Sequence, residues 1–136
     1  MQFETKIAVV VRTDLAVWQR LNMVAFLVSG IAATVADVTG EPYEDGAGRH
    51  YLPMFRQPVL IFGADGGQLR RAYERAVARE IPISLFIDEL FTTGNDAANR
   101  AAVRAVPSEQ LRIAGFALRA ERKPADAVVK GLVLHP

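Results

Sequence analysis

A mixed α/β sheet covered by helices on both faces is predicted by three observations. Short apolar runs bounded by charge, Gly or Pro alternate with stretches of helical periodicity. The first run, Ile7-Ala-Val-Val-Val11, is continuously apolar, as in a strand buried on both sides. Two of the runs end in polar clusters, Arg12-Thr13-Asp14 and Asp88-Glu89 with Thr92, Thr93 and Asn95. Ligands of open α/β sheets collect outside the carboxyl ends of strands.

The elements follow in order. Residues 6 to 12 form the first strand, after which Thr13 or Asp14 can cap a helix. Val17, Leu21, Val24, Val28, Ile31 and Val35 recur at intervals of four and three, the stripe of a helix over residues 17–35. Met23, Phe26, Leu27 and Gly30 add apolar surface on other sides, so burial on more than one side is expected, by the domain itself or by a second subunit. This helix is therefore the expected dimer element.

Residues 39–57 are rich in Gly, Pro and Asp and show no period, which predicts a long loop, either a lid or a surface insertion. Its contact groups are Tyr43, His50 and Tyr51. Pro58 to Phe62 is a second strand. Gly63-Ala-Asp65-Gly66-Gly67 turns into a helix capped by Asp65, with Leu69, Ala72, Tyr73, Ala76 and Val77 inward and a face of paired Arg and Glu outward. Ile83 to Ile87 is the third strand. A helix over residues 95–106 packs through its alanines, Leu111 to Ala120 is the fourth strand, and a last helix runs from Ala125 to about Lys130 after Lys123-Pro124.

Length and composition set bounds on function. The 136 residues fit one domain, residues 1–136. A net charge of +1 gives no strong electrostatic reason to expect nucleic acid or an anionic membrane as partner. Without cysteine, disulfides, thiolate metal sites and cysteine nucleophiles are excluded. The first six residues lack the pattern of a secretory signal, so cytoplasmic residence is the expectation. Leu21 to Ala36 carries no charge, but Asn22, Ser29 and Thr34 interrupt it and a span needs about 20 apolar residues, so a buried helix is expected in place of a membrane span.

The chemistry concentrates on the polar rim. With only His50 and His135, a Ser-His-acid triad is poorly supported, and no nucleophile elbow surrounds Ser29 or Ser84. Asp14, Asp88 and Glu89 can attract a hard cation, but their spacing carries little information and neither metal nor cofactor is expected. Gly63 to Gly67 fits neither the dinucleotide fingerprint nor the phosphate loop. If the first and third strands are parallel neighbours, Asp14 and Asp88 share one rim with Arg12, Gln19, Arg20 and Asn22 on one side and Thr92, Thr93 and Asn95 on the other. A carboxylate beside a hydroxyl and a cation can orient water and stabilise an oxyanion, the equipment of ester or amide hydrolysis. Helix caps with their charge partners are the structural account of the same residues.

Val9-Val-Val-Arg12-Thr13-Asp14-Leu15 leading into a long helix, with Asp88 and Thr92 spaced four apart, resembles the class II peptidyl-tRNA hydrolases, and in particular an uncharacterised, largely bacterial group sharing their fold. The resemblance implies a three-layer α/β/α sandwich around a four-stranded mixed sheet, and a homodimer. It carries over Arg12, Thr13, Asp14 and Leu15 as the first-strand motif, and Asp88 and Thr92 as the aspartate and threonine. The family's lysine falls near Gln19, beside Arg20, and its later glutamine and histidine fall at Ala25 and Val28. These departures point away from peptidyl-tRNA hydrolysis itself. The expectation is a rebuilt hydrolase-like site with Asp88, Thr92 and Arg20 catalytic, and Arg12, Asp14, Gln19, Asn22, Thr93 and Asn95 binding a small or peptide-like substrate. The alternative is a non-catalytic dimeric binding module; tRNA remains among the partners to test.

Overall fold

The structure is a computed structural model describing residues 3–136. Met1 and Gln2, part of the segment read for a secretory signal, lie outside the described residues. The elements in order are β1 (Thr5–Arg12), α1 (Val17–Thr34), β2 (Tyr43–Glu44), β3 (His50–Tyr51), β4 (Val59–Ala64), α2 (Gly66–Ala78) and β5 (Ile83–Ile87). A 3-10 turn (Asp88–Phe91), α3 (Asp96–Arg104), a second 3-10 turn (Ser108–Gln110), β6 (Ile113–Glu121), α4 (Arg122–Val128) and β7 (Val133–Leu134) follow.

The main sheet has five strands in the order β5-β6-β1-β4-β7, in place of the four expected. Only β1 and β4 pair in parallel; β6 lies antiparallel to both β1 and β5, and β7 antiparallel to β4. The strand missed from sequence is β7, whose two residues are too few for any periodicity to register.

Alternation along β1 divides the core. Ile7, Val9 and Val11 pack with Met23, Leu27 and Ile31 of α1, while Ala8 and Val10 pack with Leu69, Ala72 and Ala76 of α2 and Ala125 and Val128 of α4. The continuous apolar run is thus a strand with helices on both of its faces. Burying a side chain the size of Met23 or Leu69 contributes roughly 1.5–3 kcal/mol relative to leaving it in water. Gly115 lets α1 sit this close: a Cβ there would lie 2.7 Å from the Val10 carbonyl oxygen and 2.9 Å from the Met23 sulfur.

Several local expectations are corrected. Neither Thr13 nor Asp14 caps α1; the N-cap is Ala16, whose N–H donates to Gln19 Oε1 at 2.9 Å. Asp14 is drawn instead to Arg12, and Thr13 pairs its N–H with the Ala64 carbonyl at 3.0 Å. The domain buries one face of α1 and leaves Val17, Trp18, Leu21 and Phe26 more than half exposed. The helix after Asn95 is shorter than expected, and none of its residues is buried, so its alanines do not pack into the core. The final helix starts earlier, at Arg122, with Pro124 in its first turn.

Residues 39–57 also hold more order than a loop. β2 and β3 form a hairpin closed by Asp45, whose carboxylate accepts from the Ala47 and Arg49 amides at 3.0 Å and from the Tyr51 hydroxyl at 2.8 Å. Gly48 supplies the left-handed backbone, at φ 88°. The Arg49 amide, the Tyr51 hydroxyl and the Ala47 amide hold the Asp45 carboxyl below its ordinary pKa, and the same bond to Asp45 raises that of Tyr51. No helix among the described residues is long and apolar enough to cross a membrane.

Candidate functional site

The topology selects one end of the sheet. After β1 the chain crosses to α1 on one face, and after the adjacent parallel β4 it crosses to α2 on the other. The connections therefore diverge at the carboxyl ends of β1 and β4, a topological switch point of the kind that opens a crevice in α/β sheets.

Arg12 is the centre of this rim. Its Nε donates to Asp14 Oδ1 at 2.6 Å, and its Nη1 lies 2.8 Å from Asp88 Oδ1 while donating to the Ile113 carbonyl at 2.7 Å. β1 and β5 are parallel but not neighbours, because β6 lies between them. Arg12 is long enough to reach across β6 and bring Asp14 and Asp88 to one guanidinium. Burial opposes the charge of Arg12, but the hydrogen bonds and negative charge of Asp14 and Asp88 outweigh it, so its pKa is raised. Asp88 Oδ1 is buried against Arg12, while the side chain as a whole is 32% exposed.

The turn after β4 completes the rim. A Cβ on Gly63 would lie 2.9 Å from Thr13 Cγ2 and 3.9 Å from His135 Cδ2, and one on Gly66 would lie 4.0 Å from Arg12 Cδ. Only the first of these approaches is too close for a side chain, so glycine at position 63 makes room for the Thr13 methyl, while the other two are ordinary contacts. Asp65 caps α2 by accepting from the Gln68 amide at 2.8 Å. His135 follows β7, with its amide on the Ile61 carbonyl at 2.8 Å. Its Nε2 is 2.7 Å from Arg20 Nη1, and its Nδ1 is 2.8 Å from the Pro136 carbonyl oxygen. Arginine only donates, so Nε2 accepts and the ring proton sits on Nδ1. Arg20 Nε is buried without a hydrogen-bond partner.

The residues singled out from sequence thus fall into separate groups. Arg12, Asp14 and Asp88 meet at the rim. Arg20 turns to His135, and Gln19 holds the start of α1. Thr92 donates to the Glu89 carbonyl at 3.0 Å, closing its own turn. Thr93 donates to the Leu90 carbonyl at 3.1 Å and pairs with Asn99, while Asn95 caps α3 through the Ala98 amide at 2.8 Å. Glu89 pairs with Arg112 at 3.3 Å. Among the described residues no cluster of three His, Cys, Asp or Glu side chains is arranged to hold a metal ion.

Asn22, Thr93 and Asn95 do share a place, a groove of 390 Å³ with Trp18, Phe86 and Phe91 in its walls. Sequence reasoning missed this aromatic groove and His135. Trp18 and Phe26, eight residues apart, gave no sign of facing the third strand, and His135 follows a strand too short to read.

The fold and rim define an α/β protein with an open mixed sheet and a charged switch point. The sequence pattern of the DUF2000 family, proteins of unknown function, matches residues 5–136, and the chain belongs to that family. A solved structure of a protein of unknown function from Agrobacterium tumefaciens strain C58 is similar to it, at 47% sequence identity and a TM-score of 0.96, over 99% of this chain and 100% of that one. No curated protein matches the chain significantly.

Proposed function

We propose that the protein binds a small, peptide-like ligand at the rim between β1, β4 and β5, with Asp88 accepting a hydrogen bond from an amide or amine of the ligand. The observation that carries this reading is the Asp88 carboxylate, whose Oδ1 is fixed 2.8 Å from Arg12 Nη1 while the side chain as a whole stays 32% exposed at the rim. A carboxylate oriented by a cation and partly open to solvent can accept a charge-assisted hydrogen bond from a ligand N–H. Arg12 fixes the carboxylate, and the exposed Asp14 carboxylate extends the acidic surface towards solvent.

Binding is favoured over hydrolysis because the three groups assigned to catalysis have different partners. Asp88 is with Arg12, Arg20 with His135, and Thr92 with the Glu89 carbonyl. Hydrolysis of an ester or amide draws its support from one feature, a carboxylate and a cation side by side, which can orient a water and stabilise an oxyanion. The outer stripe of α1, with Val17 and Leu21 exposed, supports pairing with a second copy.

Protein-observed NMR with N-acetyl-dialanine amide tests the binding site. Saturable shifts centred on Thr13, Gly66 and Asp88, lost in Asp88→Asn, are expected; absence of shifts, or equal affinity in the variant, would sink the role of Asp88. Incubation with peptidyl-tRNA, beside Asp88→Asn, tests the hydrolytic reading. Turnover that depends on Asp88 would replace the binding reading. Sedimentation at micromolar concentration tests the dimer, and a strict monomer rejects it.

A further inference from the structure

We propose that the groove between α1 and α3 is a second binding site, built for a small apolar carboxylate. It is distinct from the rim and stands or falls without it. Two adjoining hollows, of 580 and 390 Å³, share Phe26, Phe86, Leu90, Asp96 and Asn99 in their walls, so they form one groove along the β5 edge of the sheet. Their volumes fall in the range of roughly 300–1,000 Å³ typical of small-molecule sites.

The floor is a connected series of aromatic rings. Trp18 meets Phe91 edge-on with centroids 6.1 Å apart, Phe91 lies 4.8 Å from Phe86, and Phe86 meets Phe26 at 6.2 Å. Trp18 and Phe26 are 60% and 54% exposed, an unfavourable state for rings this large without an apolar neighbour. α3 forms the opposite wall and buries none of its own residues, so it overhangs β5 without filling the space between them.

Charge selects the ligand's head group. The α1 and β5 side of the larger hollow, from Phe26 and Leu27 to Ser84, Leu85 and Phe86, is uncharged, whereas α3 presents Asp96, Arg100 and Arg104. Arg100 pairs with Asp96 on its own helix. Arg104 has no ion-pair partner among the described residues, which leaves a surplus positive charge on one wall of a groove whose other side chains are apolar, uncharged polar or paired with each other. An apolar body along Phe86 and Leu85 with a carboxylate turned to Arg104 satisfies both surfaces; Arg supplies paired donors suited to a carboxylate.

Trp18 is the only tryptophan in the chain, so its emission reports on this groove. Titration with octanoate is expected to change Trp18 emission saturably, with affinity about tenfold higher than for octanol, the difference made by one charge-assisted contact. Arg104→Gln is expected to remove that advantage while leaving octanol binding unchanged. Val103→Asp, on the same exposed wall, is expected to weaken octanoate more than octanol, with far-UV circular dichroism confirming the fold. Equal affinities for the two probes, no saturable change, or indifference to Arg104→Gln overturns the proposal. A Trp18 signal that changes on dilution with dissociation of a dimer, the dimer refusing octanoate, assigns the groove to a second copy and overturns it too. Asp88→Asn is expected to bind octanoate as the parent does, which separates this site from the rim.

Discussion

Arg12 of β1 reaches Asp88 at the end of β5, with Nη1 and Oδ1 2.8 Å apart, although a whole strand separates the two. The same nitrogen donates to the carbonyl of Ile113, the first residue of that intervening strand. One side chain therefore joins three strand ends and holds two carboxylates.

Arg12→Met is expected to destabilise the protein by about 1–3 kcal/mol, because Asp88 loses its counter-charge and the Ile113 carbonyl loses a donor. Arg12→Lys recovers only part of this, since an ammonium cannot reproduce the planar fork that meets Asp14 and Asp88 together. In the Asp88→Asn background the cost of Arg12→Met shrinks. Urea denaturation of the four proteins measures the coupling, and additive losses would show that the pair does not interact.

Gly115→Ala is expected to cost about 1–3 kcal/mol or more, because the new methyl meets the Val10 carbonyl at 2.7 Å and a backbone atom in a central strand cannot move aside. Gly30→Ala is a contrasting case. Its methyl would collide with the Ser84 hydroxyl, a side-chain group, so Ser84→Ala is expected to relieve much of the loss. Thermal melts distinguish the two; rescue of Gly115→Ala by Met23→Ala alone would contradict the assigned role of the backbone.

The hairpin of β2 and β3 is expected to be sensitive to acid. Asp45 has a folded pKa below its ordinary value of 3.8, so it binds a proton less readily when the hairpin is formed. Its stabilisation is complete above the unfolded value and is lost as pH falls through the folded one. Tyr51, raised from 10.0, has the opposite dependence, losing its contribution as pH rises through its folded value. The Ala47 and Arg49 amide resonances follow the acid transition. Tyr51→Phe is expected to move its midpoint up, and an unchanged midpoint would remove the hydroxyl from the account.

Asn95→Ala is expected to cost about 1 kcal/mol, confined to α3, since the lost bond to the Ala98 amide caps a helix that buries nothing. Faster hydrogen exchange in residues 96–104 with little change elsewhere is the expected result. Thr92→Ala is expected to shift global stability by less than about 0.5 kcal/mol, as its hydroxyl serves only a local, exposed turn. Loss of ligand binding in that variant would return Thr92 to the site.

Much of this molecule follows from local sequence pattern. The apolar run of β1, the stripe of α1, the Asp65 cap and the polar clusters after β1 and β5 depend on neighbours three or four residues away, and such regularities survive in a linear chain. Arg12, Asp14 and Asp88 accordingly stand out in the linear sequence. Which groups meet was decided by tertiary structure. The placement of β6 between β1 and β5, the partnering of Arg20 with His135, 115 residues away, and the diversion of Thr92 to its own turn depend on strand order and side-chain reach. The aromatic groove arises the same way, from α1 and the far strand β5 meeting at the sheet's edge. Spacing along the chain records which side chains share a face; only the packed sheet determines what that face confronts.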